Sequence, residues 1–176
     1  IDAVQISEQG SFGRAQLNKA EEKVESFGQV MENAWLGRKL LLAAQNEPLI
    51  TLIDNADVVA VEQQDDGVTL TFNYYDGDEG EQQLQGSVLV ACDGRDSTVR
   101  QLLGITTKDY DYQQTAIVGV VETDKAHEHI AIERFSPAGP LAVLPLTDPE
   151  GDGNDDYQQG FRRSVVWVCP KGEEQQ

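Results

Sequence analysis

The residues best placed to do chemistry are Asp93 and Gly94, inside the run Val88-Leu89-Val90-Ala91-Cys92-Asp93-Gly94-Arg95-Asp96-Ser97-Thr98-Val99-Arg100. An apolar stretch reads as a buried strand and stops abruptly at an acid and a glycine. A short polar helix is then predicted to start at Asp96 or Ser97. A strand ending this way presents a carboxylate and free backbone N–H groups at its carboxyl end, where open α/β sheets bind ligands. Glycine lets backbone approach a ligand with no Cβ in the way, and the helix start offers unpaired N–H donors. Asp-Gly is also a common turn, so the pair alone leaves a ligand contact and a plain strand-to-helix turn both open.

Other constellations carry less. Asp148, Glu150, Asp152 and Gly153 match the front of a calcium-binding loop. The bidentate acid required at the twelfth position is Gln159, and no helices flank the segment. A solvated acidic loop between two strands is the expectation there. His127-Glu128-His129 offers two histidines, which a strand would place on one face without a third ligand, so no metal is expected. No Ser/His/Asp order stands out, hence no catalytic nucleophile is assigned and hydrolase chemistry is not supported. Cys92 and Cys169 are read as buried, reduced thiols in a cytoplasmic protein.

The elements that must position these residues follow from periodicity. Ile1 to Leu17 is extended around a Gly10–Gly13 turn, and Lys19 to Ser26 is a charged connection. Trp35, Leu36, Leu40 and Ala43 recur at helical spacing, giving a helix from Met31 to Gln45 that Asn46-Glu47-Pro48 ends. Short strands are predicted at Leu49–Ile53 and Val58–Gln63, and Val68–Tyr75 forms a hairpin with Glu81–Gly86 that feeds the Val88 strand. Gly104 reads as a helix C-cap. Beyond it, Thr115–Val121, Ile130–Phe135, Leu141–Pro145 and Ser164–Cys169 suggest a largely antiparallel sheet.

With 13 basic against 31 acidic residues, the chain carries a formal charge of −18. Such a surface repels nucleic-acid phosphates and anionic lipid, so no nucleic-acid partner is expected. No apolar run has transmembrane length. The first residues look like a strand already in progress and the last lack a domain end, so both ends are expected to be truncated.

Cys-Asp-Gly-Arg-Asp-Ser-Thr-Val-Arg resembles the Asp-Gly motif of flavoprotein aromatic hydroxylases, (G/A)-x-D-G-x-x-S-x-V-R. Asp93, Gly94, Ser97, Val99 and Arg100 match, and Cys92 stands where small residues are usual. Four further stretches are similar to the ubiquinone-biosynthesis branch of that family. They are Ile6 to Gly13, Gly28 to Asn33 followed by Leu36 and Leu40, Glu133-Arg134-Phe135 leading to Gly139–Leu146, and Ser164–Trp167.

The resemblance implies the central part of a p-hydroxybenzoate hydroxylase-like fold of mixed α+β and α/β class, with a mostly antiparallel substrate-domain sheet. Residues 1–106 would belong to the FAD-binding domain, their N-terminal stretch falling in either domain, and 107–176 to the substrate domain. It implies FAD as cofactor, NAD(P)H and O2 as co-substrates, and a polyprenylated phenol as substrate. The location is then the cytoplasm or the periphery of the inner membrane, with other ubiquinone-biosynthesis proteins as partners. Asp93, Gly94, Asn33 and Arg100 would contact the cofactor. Asn33 also reads as a helix cap and Arg100 as a surface helix residue. Arg134, Phe135, Gly139, Pro140 and Pro145 would line the substrate side, with ordinary sheet packing the competing role for Phe135 and the prolines. The Gly-x-Gly-x-x-Gly diphosphate turn occurs nowhere in the chain, so the 176 residues alone are expected to bind FAD weakly and hydroxylate nothing. A non-catalytic binding domain on the same scaffold is the competing class.

Overall fold

A computed structural model describes residues 1–75, 80–147 and 160–174. In chain order the elements are β1 (Ala3–Glu8), β2 (Arg14–Asn18), α1 (Lys19–Glu22), α2 (Asn33–Gln45), β3 (Ala56–Gln64), β4 (Gly67–Tyr74) and β5 (Gln82–Gly86). α3 (Thr98–Leu102), β6 (Gln114–Glu122), β7 (Ile130–Phe135), β8 (Leu141–Pro145) and β9 (Arg162–Pro170) follow. They divide into two compact units, one formed by Ile1–Ala43 with the chain from Asp111 onward, the other by Ala44–Tyr110.

The first unit is built on a six-stranded sheet in the order β2-β1-β7-β8-β9-β6. Every pairing is antiparallel except that of β1 with β7, where Val4 lies opposite Ala131. Short turns join the antiparallel neighbours β1–β2 and β7–β8, whereas a parallel pair needs a long crossover. The whole second unit lies within the chain between β1 and β7. The N-terminal hairpin is thus one sheet with the strands after Gly104.

Alternation along the strands sorts the residues into two faces. Register puts Gln5, Ser7, Arg14, Ile132, Arg134, Leu141, Val143, Val165 and Trp167 on one face, and Ile6, Glu133, Phe135, Ala142 and Val166 on the other. Small or compact side chains sit deepest: Ala3, Ala131, Leu146 and Cys169 are buried.

Helix α2 begins two residues later than its periodicity suggests. The Glu32 carbonyl accepts the first bonds, from the N–H groups of Trp35 and Leu36, each at 3.1 Å. The Glu32 carboxylate pairs with Arg162 on β9, and the Thr147 N–H donates to the Val30 carbonyl at 2.8 Å. These contacts fasten the start of the helix to the sheet. Its Leu36, Leu40, Leu41 and Leu42 are exposed.

At the far end of β9, the Glu174 carboxylate accepts from the Thr115 hydroxyl on β6 and from the Gly172 N–H at 2.9 Å. The Gly172 N–H, then the hydroxyl, hold its pKa down from 4.5 to about 2. A depressed carboxyl stabilises the fold at pH values above its unfolded pKa and loses that contribution as pH falls through its folded one. This clasp is therefore expected to persist at neutral pH and open between about pH 4.5 and 2. A carboxyl titration followed by NMR should give Glu174 a midpoint near 2; an ordinary glutamate midpoint would show that the clasp does not form.

The second unit carries the meander β3-β4-β5. Thr69, Thr71 and Phe72 of β4 are buried, and β3 shifts register between Val58 and Ala60. Gly67 permits close pairing, since a Cβ there would stand 2.6 Å from the Gly86 carbonyl oxygen.

Several sequence expectations need correction. Leu49–Ile53 is not a strand: the Ile50 N–H donates to the Glu47 carbonyl at 3.0 Å, closing a turn over Pro48. Val88–Cys92 is neither strand nor buried. The ladder of β5 with β4 ends at Gly86, and Val88 and Val90 are 78% and 75% exposed. A buried parallel strand requires neighbours on both edges, and none among the described residues pairs with this segment. Cys92 is consequently exposed, while Cys169 is buried; both are free thiols. His127 and His129 lie in the turn before β7, with Glu128 and His129 at φ values of 48° and 58°, so strand alternation does not govern them. The candidate calcium loop, from Asp148 through Gln159, lies outside the described residues.

Candidate functional site

The Asp-Gly segment is a loop braced by its own side chains. Ser97 caps α3, its hydroxyl oxygen accepting from the Arg100 N–H at 3.0 Å. That hydroxyl donates to Asp93 Oδ1 at 2.6 Å, while Asp93 Oδ2 accepts from the Val99 N–H at 3.1 Å. Arg100 Nη2 turns back to donate to the Arg95 carbonyl at 2.6 Å. The helix closes in a Schellman pair, with the Gly104 N–H on the Gln101 carbonyl and the Ile105 N–H on the Arg100 carbonyl. Gly104 has φ 65°, as that cap requires.

This network gives each motif position a physical reason. Asp93 and Ser97 satisfy N–H groups at the start of a five-residue helix, Val99 anchors it by burial, and Arg100 ties the loop across its own mouth. The Ser97 hydroxyl, followed by the Val99 N–H, holds the Asp93 carboxyl below its usual pKa. Asp93 is therefore an ionised acceptor at neutral pH. Gly94 has φ 88°, and a Cβ there would meet nothing within 4 Å. The glycine is needed for its backbone conformation, and its flank is open.

Of the four cofactor residues expected from sequence, Asp93, Gly94 and Arg100 share this loop. Asn33 belongs to the first unit, as the first residue of α2; the capping position is taken by Glu32. The five substrate-side residues are divided by the pleat. Arg134 and Pro145 fall on one face of the sheet and Phe135 on the other. Gly139 lies in the β7–β8 turn, where its φ is 115° and a Cβ would stand 1.8 Å from the Val168 carbonyl oxygen. Pro140 follows it, its carbonyl accepting from the Val168 N–H at 3.0 Å. Both are thus bound into the β8–β9 approach.

A cleft of about 740 Å³ opens at the end of the sheet in the first unit, lined among others by Gln29, Val30, His127, His129, Pro145 and Leu146. His127 is buried, and its Nδ1 accepts from the His129 N–H at 3.0 Å. Gln29, Val30 and Leu146 were not singled out from the sequence. The signal for Gln29 and Val30 was available in the Gly28-Gln29-Val30 stretch, where Gly28 takes φ 127°, and that for Leu146 in the Gly139–Leu146 stretch.

A flavin dinucleotide carries hydroxyl groups, a diphosphate and a flat ring system. An ionised carboxylate next to an open glycine edge suits hydroxyl donors. It does not suit a diphosphate. Asp93 and Gly94 therefore fit one edge of such a cofactor.

A comparison with protein families defines the class, the FAD-binding domains. The family model described as "FAD binding domain" matches residues 5–175, and the chain belongs to that family. Within it, the chain is 36% identical over 142 residues to a protein named ubiquinone hydroxylase UbiL from Rhodospirillum rubrum, covering 81% of this chain and 29% of that protein. It is 29% identical over 132 residues to 3-demethoxyubiquinol 3-hydroxylase of Escherichia coli, covering 75% of this chain and 32% of the relative. The crystal structure of pqsL, described as a probable FAD-dependent monooxygenase from Pseudomonas aeruginosa, superposes with a TM-score of 0.65 at 19% identity. That match covers 97% of this chain and 43% of the other, and establishes likeness of fold. The chain thus spans about a third of the length of these curated relatives.

Proposed function

We propose that the full-length protein is an FAD-dependent monooxygenase that hydroxylates a polyprenylated phenol in ubiquinone biosynthesis, in the manner of 2-polyprenyl-6-methoxyphenol hydroxylase. The observation that carries this reading is the braced Asp93–Arg100 loop, in a chain whose relatives are named as ubiquinone-pathway hydroxylases. When bound, FAD supplies electron transfer from reduced nicotinamide and activation of O2. The residues of this chain position it. Asp93 accepts from cofactor hydroxyl groups, Gly94 lets backbone reach the same edge, and Arg100 holds the loop in shape through Arg95. In the first unit, Asn33 stands exposed at the start of α2. The phenol ring approaches by the cleft at Pro145, from which water is displaced on binding, while Phe135, Gly139 and Pro140 lie at the opposite end of β7 and β8.

The name of the Escherichia coli relative supports a second reading within the class, hydroxylation at a different ring position. Quinone intermediates extracted from a deletion strain separate the two by the position left unhydroxylated. An unchanged quinone profile would refute both. The substrate is greasy, and no helix among the described residues is long and apolar enough to cross a membrane. We assign delivery of the substrate to contact with the membrane periphery or with other proteins of the pathway.

In the full-length protein, Asp93→Ala is expected to weaken FAD binding about tenfold or more, as charge-assisted hydrogen bonds are lost. Quenching of flavin fluorescence on titration measures this, with circular dichroism confirming that the variant is folded. Wild-type affinity in a folded variant would remove Asp93 from the cofactor site.

A further inference from the structure

On one face of the six-stranded sheet, two arginines stand on either side of a serine. Ser7 on β1 is paired in register with Arg14 on β2 and with Arg134 on β7, so the three side chains form one row. Adjacent strands lie about 4.8 Å apart, which places the two arginine stems roughly 10 Å from each other across the serine. Their ends can close on one group between them. A depression of about 430 Å³ lies there, lined among others by Ser7, Gly13, Arg14, Ile132 and Arg134.

The row is a reversal of sign in a chain of formal charge −18. Across β1, β2, β7 and β8, the residues on this face are Ala3, Gln5, Ser7, Arg14, Gln16, Asn18, Ile130, Ile132, Arg134, Leu141, Val143 and Pro145, with no carboxylate among them. The nearest acids, Glu8 and Glu133, alternate onto the opposite face. Among the described residues neither arginine has an ion pair and the Ser7 hydroxyl has no hydrogen bond. Two like charges on the strands that flank β1 repel unless something of opposite sign lies between them.

We propose that Arg14, Ser7 and Arg134 form a clasp for a phosphate group. A tetrahedral phosphate accepts from two guanidinium forks and a hydroxyl at once, and arginine is the side chain suited to that planar, paired donation. The group belongs either to a free phosphorylated small molecule or to a phospholipid headgroup. Anion binding here can be read without FAD and without turnover.

The test is isothermal titration of the chain with pyrophosphate, in parallel with cosedimentation on vesicles of mixed phosphatidylcholine and phosphatidylglycerol. Saturable binding is expected in at least one arm. Arg14→Gln and Arg134→Gln should each weaken it about tenfold or more, while Arg38→Gln, which removes the same charge from exposed helix α2, should not. Arg14→Lys and Arg134→Lys should keep attraction to the anion and recover only part of the affinity. Binding of pyrophosphate without vesicles assigns a free ligand, and binding of vesicles without pyrophosphate assigns a headgroup. Absence of saturable binding in both arms, or equal weakening by Arg38→Gln, would overturn the clasp.

Discussion

Gly139→Ala is expected to destabilise the first unit by on the order of 3 kcal/mol or more, the largest effect of a methyl group added at any described glycine. Two costs combine. The backbone at Gly139 has φ 115°, a conformation that L side chains rarely adopt. The added Cβ would also stand 1.8 Å from the Val168 carbonyl oxygen, which is backbone and cannot rotate away. Relief requires separating the β7–β8 turn from β9, with loss of the bond from the Val168 N–H to the Pro140 carbonyl. Gly160→Ala is the internal comparison. That residue also has a positive φ, of 83°, but its nearest neighbour would be the His127 ring at 3.9 Å, so strain acts without collision and about 1 kcal/mol is expected. Urea unfolding of both variants measures the difference. Equal midpoints would show that β9 yields to the methyl group, and that the glycine serves something other than packing.

Ser97→Ala should cost about 1–2 kcal/mol, toward the upper end for a helix cap. The serine is buried and works in two directions, accepting from Arg100 and donating to Asp93. Alanine leaves the Arg100 N–H without its partner and removes the largest influence holding the Asp93 carboxyl below its usual pKa. Asp93 should then titrate closer to an ordinary aspartate. Because the shift is downward in the folded state, its contribution to stability is complete above the unfolded pKa and fades as pH falls through the folded one. The stability gap between wild type and Ser97→Ala should therefore be widest near neutrality and narrow in acid. Ser97→Thr keeps the hydroxyl and should restore most of the loss. A gap independent of pH would mean that Asp93 and Ser97 are not coupled.

The two cases mark how far local sequence reaches. Asp93, Gly94, Ser97, Val99 and Arg100 could be read as a unit because their interactions close within eight residues, and a cap, a turn glycine and a C-cap are local signals. The strands of the first unit were legible for the same reason, since alternation is a property of each segment. The Val88–Cys92 run shows the limit. Its apolar residues report that something should bury them, but not which segment does so, and among the described residues no strand pairs with it. Leu49–Ile53 failed for a nearer reason, as the turn over Pro48 outweighed a short apolar stretch.

By itself the sequence determined the Asp-Gly loop, the strand and helix content, and membership of a flavin-binding family, because each rests on residue types at short fixed spacings. Only the tertiary structure decided that the N-terminal hairpin joins the later strands through a parallel β1–β7 pairing. It also decided that Gly139 answers to the Val168 carbonyl, and that Arg14 and Arg134, 120 positions apart, flank Ser7. Register between strands distant in sequence is set by packing across the whole sheet, and no local pattern encodes it.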